Sequence, residues 1–118
     1  RLWRSLDMEK IDAQIEVLAQ CIRDSQIYRN YRVQVEKIEK QPGLLEQINE
    51  FRRKNFELQS VKPSENMLDK VDAFNQEYES FRESPLVSDF LQAELDLCRL
   101  MQEVQVRLTE AIDFTSPQ

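Results

Sequence analysis

The sequence predicts an all-α protein, an elongated antiparallel bundle of four to five helices that ends in a long C-terminal helix. Three observations carry that expectation. A single glycine and four prolines in 118 residues leave few tight turns. Charged residues make up 32% of the chain and, with recurrent Glu, Gln, Lys, Arg and Leu, favour long solvated helices. Apolar residues recur at intervals of three and four, the spacing that lines one face of a helix. The chain is long enough for one domain, 1–118, and not for two. Within it, residues 1–6 read as a flexible extension and 114–118 as a frayed tail.

The first helix starts at Asp7, whose carboxylate accepts hydrogen bonds from free first-turn amides, and it carries Ile11, Ile15, Leu18 and Ile22 as one stripe. Ser25 either caps a second helix or kinks a continuing one, and Tyr28, Tyr31, Val35 and Ile38 keep the same spacing beyond it. Gln41-Pro42-Gly43 is a clear interruption, because proline disfavours helical geometry in the preceding residue and glycine loosens the backbone. The third helix bears Leu44, Ile48, Phe51 and Leu58, with Asn55 where the pattern asks for another apolar residue. A second break spans Ser60 to Ser64 around Pro63. Met67, Val71, Phe74, Tyr78 and Phe81 then follow in a heptad-like run whose edge must be buried.

Ser84-Pro85 opens the last helix with a capping serine and a proline at the first helical position, where a missing amide costs nothing. From there to Ile112 the helix would run roughly 40 Å, against roughly 26 Å for twice the radius of gyration of a compact domain this size. Part of its apolar face therefore needs a partner. Val87, Phe90, Leu97 and Met101 are assigned mainly to the core, and Leu91, Glu94, Leu95 and Cys98 to an interface. Glu94 falls on the apolar seam, where a polar residue can set register or partner.

Composition excludes several kinds of chemistry. Histidine is absent, which removes the Glu-x-x-His ligand pair of di-iron bundles, histidine phosphotransfer and the commonest general base for a serine or cysteine nucleophile. No glycine-rich loop is available to cradle phosphate. The expectation is a protein that is not an enzyme, with no catalytic residues, no cofactor and no metal. Cys21 and Cys98 read as small buried apolar residues, not a disulfide. Leu2, Trp3 and Leu6 are too few for a signal-peptide core, and no run approaches the roughly 20 apolar residues of a membrane span. The chain is accordingly expected in the cytoplasm, without a membrane partner.

The net charge of -6 argues against a surface made to neutralise phosphates, and so against direct nucleic-acid binding. One local exception stands out. Arg29 and Arg32 on one helix, and Arg52, Arg53 and Lys54 on the next, would form a positive patch beside Tyr28 and Tyr31 if the two helices lie antiparallel. Basic and aromatic groups together suit single-stranded RNA. The alternative is ion pairing with Glu36, Glu39, Glu46 and Glu50.

The run Leu18-Ala19-Gln20-Cys21-Ile22-Arg23-Asp24-Ser25, followed by Tyr28 and Tyr31, resembles the opening motif of the YlbF/YmcA family. The run Ser84-Pro85-Leu86-Val87-Ser88-Asp89-Phe90-Leu91-Gln92-Ala93-Glu94, continuing to Leu97, resembles its second motif. The similarity covers nearly all of Met8 to Asp113. It implies an all-helical, oligomer-forming cytoplasmic regulator of Gram-positive bacteria, of a kind linked to competence, sporulation and biofilm development. Some members act in a hetero-complex that influences RNase Y dependent RNA processing and can hold iron-sulfur clusters. The cluster is not carried over to this chain, because Cys21 and Cys98 are not a closely spaced ligand set. The partners implied are further copies of the chain, paralogous helical proteins and RNA-processing machinery.

Overall fold

Short-range chain chemistry sets each helix boundary. In the computed structural model, which describes residues 2–60 and 66–113, the helices are α1 (Leu2–Arg23), α2 (Gln26–Glu39), α3 (Leu44–Ser60), α4 (Met67–Glu83) and α5 (Pro85–Ala111). The stretch around Pro63 and the tail from Phe114 lie outside the described residues. Ser25 resolves as a cap. Its backbone is extended, its hydroxyl accepts from the Tyr28 amide at 3.2 Å and donates to the Ile22 carbonyl at 2.6 Å, so one side chain ends α1 and starts α2. Helical geometry reaches back to Leu2, so Asp7 lies inside α1 and does not cap it. Gly43 sits at φ +78°, a left-handed conformation that favours glycine, in the turn between α2 and α3.

The α4–α5 corner is a single residue. Ser84 donates its amide to the Ser80 and Phe81 carbonyls and accepts from the Ser88 amide at 2.8 Å. Pro85 follows at the first helical position and holds Ser84 at ψ 121°, out of the helical region. The expected capping bond from the Ser84 side chain is not formed, because the backbone alone makes this junction.

The core lies where α2, α3 and the first half of α5 converge. Ile38, Ile48, Val87 and Phe90 are buried together, with Tyr31, Val35, Leu44, Phe81, Leu86 and Leu91 packed around them. α2 runs antiparallel to α5: Ile38 lies against Val87 and Phe90, while Ile27, at the other end of α2, faces Leu100 and Val104 across a groove. Of the α4 run, Phe74 and Tyr78 are buried and Met67, Val71 and Phe81 half-buried. Phe74 stacks on Phe51 of α3 at a ring separation of 5.6 Å, Tyr78 meets Phe51 edge-on at 5.1 Å, and Phe81 closes the cluster 5.7 Å from Tyr78. Gln34 is the one buried polar side chain among the described residues, its amide nitrogen donating to Asn30 at 3.2 Å.

The helices do not close into a globule. The radius of gyration is 19.9 Å, against roughly 13 Å for a compact domain of this length. The extents are 56 × 43 × 24 Å. α1 meets the rest of the chain principally at its junction with α2, and α5 continues well past the start of α2. Among the described residues no helix is long and apolar enough to cross a membrane.

Ile48 and Phe56 share α3 and differ in environment, since Ile48 is fully buried and Phe56 is 70% exposed. Ile48→Ala is expected to cost about 2–5 kcal/mol in urea unfolding, and Phe56→Ala to stay within about 0.5 kcal/mol of the parent chain.

Candidate association surface

Two helical faces carry apolar side chains that are exposed among the described residues. On α1, Met8, Ile11, Ile15, Leu18 and Ile22 recur at three, four, three and four, and all but the half-buried Ile22 are exposed. Ile11 is 49% exposed and Ile15 52%. On α5, the seam that is buried at Val87 and Phe90 emerges into solvent along the second half of the helix. Leu108 there is 59% exposed, and Ile112 just past its end is 64% exposed. The cause is length, because the 14 residues of α2 cannot cover the 27 of α5.

The residues predicted for an interface divide. Leu95 and Cys98 are exposed on α5, whereas Leu91 is half-buried against the core cluster. Glu94 is half-buried and accepts from the Arg52 guanidinium of α3 at 2.5 Å. Met101, expected in the core, is 48% exposed, and Leu97 is half-buried. Cys21 and Cys98, expected to be buried, are both exposed. Leu91 and Glu94 are drawn in by the core cluster and by Arg52, whereas Met101, Cys21 and Cys98 lie on faces of α5 and α1 turned away from the core. The α1 stripe was legible as an apolar face, and only the fold reveals that no neighbour covers it.

Of the predicted basic residues, the structure brings Arg52 together with Glu94, uniting two positions singled out for different reasons. The guanidinium also lies 5.6 Å from the centre of the Phe90 ring. Arg53 pairs with Glu50 and Glu57 on its own helix. Lys54 reaches Glu77 of α4 at 2.8 Å and lies 5.5 Å from the Tyr78 ring. The α3 cations are thus matched by carboxylates, and of the partners expected for them only Glu50 is used. Arg29 and Arg32 stay exposed on α2, with no ion pair among the described residues.

The Arg53 hydrogen bond holds the Glu50 carboxyl below the ordinary glutamate range. Glu77, followed by Tyr78, raises Lys54 above the usual lysine range. A lowered carboxyl favours the folded state above its unfolded pKa, and that contribution disappears as pH falls through the folded value. Both groups are solvated, so their effect is on surface charge, with little on stability. Among the described residues no three side chains of metal-binding type converge.

Comparison with known proteins gives a consistent context. The family described as control of competence regulator ComK, YlbF/YmcA matches residues 11–113. A UPF0342 protein of Caldicellulosiruptor bescii is 27% identical over 82% of this chain and 83% of its own length. A UPF0342 protein of Caldicellulosiruptor saccharolyticus is 24% identical over 82% of each. No solved structure matches the chain.

The Arg52–Glu94 pair joins α3 to α5 over the Phe90 ring, in partial shelter from solvent. A double-mutant cycle with Arg52→Met and Glu94→Gln, followed by urea unfolding, is expected to return a coupling of about 1 kcal/mol that shrinks in high salt.

Proposed function

Because the chain belongs to the family of control of competence regulator ComK, YlbF/YmcA, we propose that it is a non-enzymatic regulatory or adaptor protein that acts through helix-mediated association with other proteins. The observation that supports this reading is the pair of uncovered apolar faces on α1 and on the second half of α5. Isolated surface leucines and isoleucines are ordinary, but two helical stripes left bare in one chain imply a protein partner. That partner is a further copy of this chain, a paralogous helical protein, or both. Leu95 and Cys98 extend the same exposed length of α5 and are included in the proposed contact region. The setting proposed is the cytoplasm, in control of developmental processes such as competence, sporulation and biofilm formation, and of RNA processing.

Direct RNA binding is the weaker reading. It requires five free cations, and Arg52, Arg53 and Lys54 are already matched by Glu94, Glu50, Glu57 and Glu77. Phosphates would have to displace those carboxylates, which leaves Arg29 and Arg32 as the free charges of the patch.

Light scattering at several concentrations tests association directly. The expected mass exceeds the 14.1 kDa of one chain and falls towards it on dilution. Leu95→Asp is expected to shift that balance towards the single chain with helicity retained by circular dichroism. Binding of RNA that weakens in Arg29→Glu/Arg32→Glu, by a protein that stays a monomer, would overturn the association reading in favour of the other.

A further inference from the structure

We infer that the apolar seam of α1, exposed from Met8 to Leu18, packs antiparallel against the seam on the second half of α5, exposed at Met101, Leu108 and Ala111 and half-buried at Leu97 and Val104, in a second copy of the chain, reciprocally, so that two copies exchange their arms. This pairing presupposes the self-association proposed above and adds the surface, the occupant and the register.

The first argument is the pattern. Met8, Ile11, Ile15, Leu18 and Ile22 occupy alternate a and d positions of a heptad, and so do Leu97, Met101, Val104, Leu108 and Ala111. A narrow a/d seam is the surface that another helix covers by inserting side chains between its own. The second argument is length. Residues 8 to 22 and 97 to 111 each rise over fourteen residues, about 21 Å, so each seam ends where the other does.

The register follows from those two facts. In antiparallel helices an a residue faces a d residue of its neighbour. Setting Ile22 against Leu97 then brings Leu18 to Met101, Ile11 to Leu108 and Met8 to Ala111, with a facing d in every layer. The flanks are compatible. Within residues 8–22 and 97–111 the charges at e and g positions are Asp12 on α1 and Arg107 on α5, of opposite sign, so no like charges are forced together there.

The occupant is a second copy because one chain supplies both halves of the contact and cannot join them itself. α1 leaves the body at the Ser25 junction and packs on its own chain principally there. A second copy offers an α5 to this α1 and an α1 to this α5, so a twofold arrangement covers both faces of both chains and closes. Each copy then covers two helix faces about 21 Å long and about 11 Å wide, about 500 Å² in projection. The accessible area of a ridged face exceeds its projection, which brings the contact to the order of the roughly 800 Å² per partner of a standard interface.

The test uses the Ile11–Leu108 layer, because both residues are exposed in the single chain and their replacement leaves its core intact. Ile11→Lys and Leu108→Glu are each expected to weaken association by at least about a hundredfold, since each dimer would enclose two unpaired charges. Circular dichroism is expected to be unchanged. Mixed in equal amounts, the two variants form a heterodimer with one parental contact and one Lys–Glu contact, which should recover to within about tenfold of the parent chain. If either variant keeps the parental mass, the seam assignment is overturned while association stands. Two monomeric variants that do not recover on mixing overturn the register. A parent chain that is monomeric at every concentration overturns both this pairing and the association it presupposes.

Discussion

The antiparallel packing of α2 on the first half of α5 is the interaction on which the rest of the molecule depends. It buries Ile38 against Val87 and Phe90, gives Ile48 of α3 a pocket to fill, and orients the α4 aromatic cluster through the single-residue corner at Ser84. It also has a built-in shortfall. Fourteen residues of helix cover about 21 Å, and α5 runs about 40 Å, so the end of α5 beyond Val104 runs past α2. The exposed end of α5 follows from that mismatch in length, and α1, which meets the chain principally at its junction with α2, adds to the large radius of gyration.

Electrostatics serve this architecture in the places where helices meet. Arg52, Arg53 and Lys54 are consecutive, and helical geometry sends them in different directions: one to α5, one along its own helix and one to α4. A run that looks in the sequence like a basic patch therefore becomes two struts between helices and a set of pairs along α3. Glu94 interrupts the apolar seam of α5 because Arg52 reaches it there over the face of Phe90.

Periodicity made the helices legible in the sequence, including the buried edge of Met67 to Phe81 and the breaks at Ser25 and Gly43. Boundaries set by backbone bonding were less so. Asp7 has the chemistry of a cap and lies within α1, while Ser84 has it and leaves the junction to its own amide and carbonyl. Burial was legible only where a neighbour exists. Met101 and Val87 hold equivalent places in one repeat, yet one is exposed and the other buried, because the cluster of Ile38, Ile48 and Phe90 encloses Val87 alone. The cysteines follow the same rule: both sit in apolar helical surroundings, and both are exposed because their segments extend past the core.

The central claim is that α1 is held by another copy of the chain and not by its own. Hydrogen exchange measured amide by amide at high and low protein concentration tests it most directly. The account predicts that amides between Met8 and Leu18 are protected when the protein is concentrated and lose protection on dilution, while those of α2 and the first half of α5 keep theirs. Protection of α1 that is the same at every concentration would contradict it.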